Sequence, residues 1–191
     1  MIFARVCVLV ALLLSPAGCH RDADVAVPPG CELPGAAVTW SDVVEEEVLT
    51  SVTIFDGPVG ADGTAVVKTL FRPSITGIKT PDGWMSALAA SLGDDTGKTV
   101  YDTPEKPLAI SGVNLDPTVR QNVLYQGVHK IGASFHVACD PAVRGRFTSW
   151  TGSTAGGVVC GSAEPPRDAF GKLAGDYCGR KPRGTSQVRE Q

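Results

Sequence analysis

Aromatic residues are scarce in this chain, 6% of 191 residues, and charged residues make up only 19%. Lys and Arg stand singly apart from Arg144/Arg146 and the carboxy-terminal Arg180, Lys181 and Arg183, and the formal net charge is −3. A protein that binds nucleic acid must neutralise a row of phosphates, and no stretch here is basic enough to do so. Long apolar runs are also missing. The longest, Val6 to Leu14, falls well short of the roughly 20 residues that a bilayer-spanning helix needs. No nucleotide, cofactor or metal motif is present, so no catalytic residue, metal ligand or cofactor is assigned.

Glycine (22 residues) and proline (14 residues) are plentiful instead. With few rings and many turn formers, the composition fits a turn-rich β protein better than a helical bundle. At 191 residues, 43% of them hydrophobic, the chain is long enough for one domain with its own core.

The amino terminus has the layout of an export signal. Arg5 supplies positive charge, Val6–Leu14 the short apolar core, and Ser15, Pro16, Ala17 and Gly18 the small residues before Cys19. Ala17-Gly18-Cys19 resembles the lipobox of bacterial lipoproteins. That resemblance implies removal of residues 1–18, a diacylglyceryl thioether on Cys19, and an address at the outer face of the cell membrane. The competing expectation is plain secretion after cleavage at Ala17. The cysteines favour the first. Cys7 leaves with the signal and Cys19 takes the lipid, so Cys31, Cys139, Cys160 and Cys178 remain, an even number suited to two disulfides in an oxidising compartment. Cys160 with Cys178 and Cys31 with Cys139 is the expected pairing. The first bridge would pin a carboxy-terminal helix to the sheet, and the second would tie the amino-terminal arm to a strand end.

Residues 19–36, with Pro28, Pro29, Gly30, Pro34 and Gly35, read as a lipid attachment site and flexible tether, and residues 180–191 as a disordered tail. Residues 37–179 between them form the expected domain. Its fold class is α+β, mainly antiparallel sheet with one or two packed helices. Strands are expected over Val48–Phe55, Ala65–Phe71 and Ile75–Ile78, and Val43–Leu49 is read as strand although it could be a helix capped by Ser41. In 123–139 the odd positions are apolar but for His129 and the even ones mostly polar, with Gln126, Lys130, Ser134 and His136 among them, the period of a half-buried strand. A break near Gly127 is expected there, because seventeen residues exceed an ordinary strand. Strands 143–151 and 155–160 follow, parted by a turn at Gly152-Ser153. Helices are expected over 81–92, capped by Thr80 and closed by Gly93, and over 167–178.

Several chemical readings fail on spacing. His129, His136 and Cys139, with Asp140 near, invite a metal, but histidines seven apart on one strand face opposite sides. Ser153–Cys160 faintly resembles the nucleophile loop of chymotrypsin-like proteases, yet Ala155 stands where the serine belongs. Glu45, Glu46 and Glu47 point alternately in a strand and cannot share a cleft, and Asp94-Asp95 reads as a turn. Trp84 belongs to a helix core stripe. Trp150 shares a strand face with Arg144, Arg146 and Thr148; packing under the second helix is the first expectation for its ring, and Trp150, Arg144 and Arg146 are where a binding surface is expected if the domain has one. The leading expectation is a non-enzymatic binding module held at the membrane by its lipid, its further partner another envelope protein or a glycan. An envelope hydrolase using His129 or His136, and a structural or stress-related envelope protein, are the alternatives.

Overall fold

The computed structural model describes residues 24–33, 36–56, 63–108 and 121–180. The signal segment, Cys19 and the tail beyond Arg180 lie outside the described residues.

The chain folds as α+β. Its elements are β1 (Val25–Ala26), β2 (Val38–Asp56), β3 (Thr64–Lys68), β4 (Ser74–Thr76), β5 (Ile78–Lys79), α1 (Trp84–Thr96), β6 (Gln121–Val137), β7 (Val143–Val159) and α2 (Ala169–Gly175). Five strands form one antiparallel sheet in the order β3-β2-β6-β7-β4, and β1 pairs in parallel with β5 in a small second sheet. Three strands dominate: β2 has 19 residues, β6 and β7 have 17 each.

Strand β6 lies in the middle, and its alternation organises the domain. Its odd-numbered residues supply two cores. Ile131, Ala133, Phe135 and Val137 pack with Trp84, Leu88 and Leu92 of α1. Val123 and Tyr125 pack with Phe170 and Ala174 of α2. Every apolar residue in these sets is at most 6% exposed, which stabilises a domain by roughly 25 cal/mol per Å² of apolar surface removed from water. The even-numbered side of β6 is crossed by the segment 98–108. Tyr101 bridges to Trp150 of β7, and Glu105 reaches Thr50 of β2.

Both disulfides join the expected cysteines, with Cα–Cα separations of 5.6 Å for Cys31–Cys139 and 5.5 Å for Cys160–Cys178. Such bridges form and persist in oxidising compartments, so the domain carries the chemistry of an exported protein. No helix among the described residues is long and apolar enough to cross a membrane.

Several boundaries differ from expectation, each for a local reason. β6 is not broken at Gly127; that glycine instead leaves room for Phe170, whose ring would meet an added Cβ at 2.6 Å. β7 likewise runs through Gly152-Ser153, which keep their pairing to His129 and Val128. Helix α1 begins three residues late because Pro81 to Gly83 form a turn, with Gly83 left-handed at φ 79. It also passes through Gly93, where the backbone oxygen of Lys98 approaches too closely for a side chain, and ends at left-handed Gly97. Helix α2 is shorter than 167–178; Asp168 caps it by accepting from the Gly171 amide at 2.7 Å. The segment expected as a tether is docked from Val25 on. Val25 and Ala26 pair with β5, Cys31 is 4% exposed, and Val27, Leu33 and Ala36 rest against the α1 core.

Candidate functional site

The acidic run resolves into two ion pairs and one contact with a histidine. Glu45 meets Lys98, Glu46 meets Lys130, and Glu47 stands 3.9 Å from His129. Strand alternation turns successive side chains to opposite sides, so the three carboxylates share no cleft. His129 lies edge-on to Phe170 beside α2, whereas His136, on the other side of β6, has the Thr39 hydroxyl at 3.5 Å. Cys139 is in a disulfide. Among the described residues, no three His, Cys, Asp or Glu side chains gather as a metal set.

Trp150 shares a face with Arg144 and Arg146, as its register opposite Lys130, Ser134 and His136 requires. It does not face solvent. The ring is 9% exposed, stacks on Tyr101 at a centroid distance of 4.2 Å, and donates through Nε1 to the Thr103 carbonyl at 2.9 Å. Arg144 and Arg146 remain exposed. Trp150 is thus packed, as first expected, but under the 98–108 segment rather than α2; the tryptophan fastens that segment to the sheet, and Arg144 and Arg146 remain outside. The sequence pattern places the ring on the polar side of β7, and what it cannot show is that a loop from elsewhere covers it.

That loop carries a group that residue patterns do not single out. Glu105, 3% exposed, accepts from the Thr50 hydroxyl at 2.8 Å, the Gln126 amide at 2.6 Å and the Phe71 backbone N–H at 2.9 Å. Gln126 in turn donates to the Lys106 carbonyl and accepts from the Leu108 N–H, both at 2.8 Å. These contacts satisfy the buried carboxylate from three sides and hold it as a fastener. A groove of about 460 Å³ lies beside it, lined by Ser51, Lys68, Leu70 and Arg72 among others.

Tyr125 sits under α2 and donates to Asp168 at 3.4 Å. Burial first, and then the Asp168 charge, push its phenol above the ordinary value near 10.0. The ring also explains Gly156, where an added Cβ would lie 2.6 Å from the Tyr125 hydroxyl. In the Ser153–Cys160 segment, then, the glycine accommodates a neighbouring ring rather than shaping a nucleophile loop.

The two edges of the sheet differ sharply. On the β2 side, β3 pairs only with Ser51–Ile54, leaving the stretch from Val38 to Leu49 open among the described residues. This stretch is bulged between Ser41 and Val44, has Asp42 at φ 52, and carries Glu45, Glu46 and Glu47. Bulges and charges are how natural sheets keep an edge from pairing with another chain. On the other side, β4 covers only Arg146–Thr148 and Tyr101 bridges only Trp150. Thr151–Val159 is open there among the described residues, and Thr-Gly-Ser-Thr-Ala-Gly-Gly-Val-Val contains no charge and no proline. Its register with β6 is regular after the shift between His129 and Lys130. At its end lies a groove of about 280 Å³ walled by Val158, Ser162, Glu164, Pro166 and Asp168.

Comparison of the chain with protein-family models, with curated proteins and with solved structures finds no match.

Proposed function

We propose that this chain is an envelope lipoprotein anchored through Cys19, and that its domain is a non-enzymatic interaction module which takes an extended polypeptide along the outer edge of β7. The observation that carries the reading is the contrast between the two edges. One is blunted by a bulge, a left-handed aspartate and three glutamates; the other carries no charge and, past a bulge at Thr151, runs in regular register from Gly152 to Val159, about 26 Å at ~3.3 Å per residue. Strand addition draws affinity from main-chain hydrogen bonds and specificity from side-chain pockets, and the groove next to Val158 is placed to supply the second. The disulfides suit an exported address, and the lipobox-like Ala17-Gly18-Cys19 suits the anchor.

Two measurements test this. Intact mass of the protein from a bacterial host should begin at Cys19 with an added diacylglyceryl group; a mature chain beginning at Gly18 without lipid overturns the anchor. For the edge, a photo-crosslinking residue is placed at Gly157, and in a control at Glu46, in the anchored full chain. An adduct with a polypeptide at 157, absent at 46 and lost on adding Ser153→Lys, is the expected result. Equal labelling at both positions, or adducts indifferent to Ser153→Lys, would sink strand addition.

A further inference from the structure

The edge of β7 is complementary to itself. Antiparallel pairing of Thr151–Val159 with the same stretch of a second chain overlaps completely when Ala155 sits on the twofold axis. Ser153 then faces Gly157, Thr154 faces Gly156, Gly152 faces Val158, and Thr151 faces Val159. Ala155 meets its own copy at the axis, and in the next three kinds of pair a glycine accepts the larger partner; the outermost pair, Thr151 with Val159, falls at the bulge of β7 and lies outside the regular register. No pair sets like charges opposite each other. The same operation on β2 would lay Glu45, Glu46 and Glu47 along a shared seam, where like charges repel.

We infer that the strand taken by β7 is the β7 of a second copy of this chain, joining two five-stranded sheets across a twofold axis. The inference rests on the strand-addition reading above and names its partner. A C2 contact of this type is isologous, so one self-complementary surface is enough. The interface is small. A regular edge of about 26 Å bearing small side chains offers less than the roughly 1,600 Å² of a standard interface, so the free domains associate weakly. Anchoring changes this: confinement to one membrane raises the effective concentration, and apparent association tightens by about a hundredfold over the unanchored chain.

The test uses the full anchored chain in its bacterial membrane. Ala155→Cys places two thiols at the axis and should give a covalent dimer on mild oxidation, whereas Glu46→Cys on the opposite edge should not. Adding Ser153→Lys, an exposed position, should abolish the dimer while both native disulfides persist by mass. A second measurement needs no new cysteine in the domain. Full-length lipidated chains labelled with donor or acceptor dyes on the carboxy-terminal tail are reconstituted in phosphatidylethanolamine/phosphatidylglycerol vesicles. Energy transfer between them should exceed that of the Ser153→Lys form. Equal transfer for the two forms, or equal dimer from the two cysteine variants, overturns the homotypic pairing. If the Gly157 photo-crosslinker then still captures a different polypeptide, strand addition stands with another partner; if it captures none, both readings fall together.

Discussion

The Gln126 side-chain amide donates to the Glu105 carboxylate at 2.6 Å, and both side chains are buried, at 3% exposure each. This contact crosses from a loop to the central strand of the sheet, and the groove lined by Lys68 and Arg72 lies next to it. The segment from Lys98 to Leu108 has no regular secondary structure beyond the Tyr101 bridge. It is held by a few polar contacts and one ring stack.

Glu105→Ala should therefore cost about 3 kcal/mol, since it strands the Phe71 N–H and leaves Thr50 and Gln126 only their second acceptors, the Gln126 and Lys106 carbonyls. Glu105→Gln keeps the volume and an acceptor and should cost less. Urea unfolding gives the numbers. Amide exchange should show protection lost first around Tyr101 and Glu105, with β6 unaffected; uniform loss across the sheet would refute the fastener role.

Gly127→Ala should destabilise the domain by roughly 1–3 kcal/mol through overpacking. Its Cβ would lie 2.6 Å from the Phe170 ring and 2.8 Å from the Val48 carbonyl oxygen, and backbone cannot yield as a flexible side chain can. The damage should concentrate in α2, readable as faster exchange of its amides. Gly175→Ala, where nothing lies within 4 Å of the added atom, is the neutral control.

Much of this architecture is legible in the sequence because its signals are local. The period-two pattern of 123–139 is the alternation that feeds both cores, and cysteine parity gives the disulfides. What escapes the sequence is mostly glycine. Gly93 and Gly127 look like breaks and Gly156 like part of a glycine-rich loop, yet each makes room for another group: the Lys98 carbonyl, Phe170 and Tyr125. Trp150 fails in the same way. Its strand face is correct, but the cover from Tyr101 and Thr103 is a tertiary fact. The edge of β7 left open among the described residues is visible only once the strand order is known.

Tyr125→Phe should alter the alkaline limb of stability. Burial and Asp168 raise the phenol's pKa in the folded state above the value near 10.0 that it has when unfolded. Above pH 10 the unfolded chain releases this proton first, so the folded state binds more protons and stability falls as pH rises. The contribution is thus complete below pH 10 and lost as pH climbs through the folded value. Urea midpoints of wild type and Tyr125→Phe, compared from about pH 8 to 11, should converge or cross only at the alkaline end. A constant offset across the range would show that the phenol's titration is not coupled to folding.

The two disulfides should differ in what they stabilise. Cys31–Cys139 spans 108 residues, and Cys160–Cys178 spans 18. Closing the longer loop restricts the unfolded chain more, so chain entropy assigns about 4.7 kcal/mol to the first bridge and about 3 kcal/mol to the second. The local consequences run differently. Cys31 is buried in the α1 core and holds the amino-terminal arm against it, whereas Cys178 lies within the turn after α2. Replacing Cys31 and Cys139 by serine should lower the urea midpoint more and release β1 from β5, seen as rapid exchange of the Val25 amide that donates to Gly77. Replacing Cys160 and Cys178 should leave that amide protected and free α2 instead, raising exchange at Gly171 and Lys172. If both pairs of substitutions cost the same and loosen the same amides, the bridges act on the domain as a whole, and the division of the sheet into an α1 core and an α2 core is mechanically irrelevant.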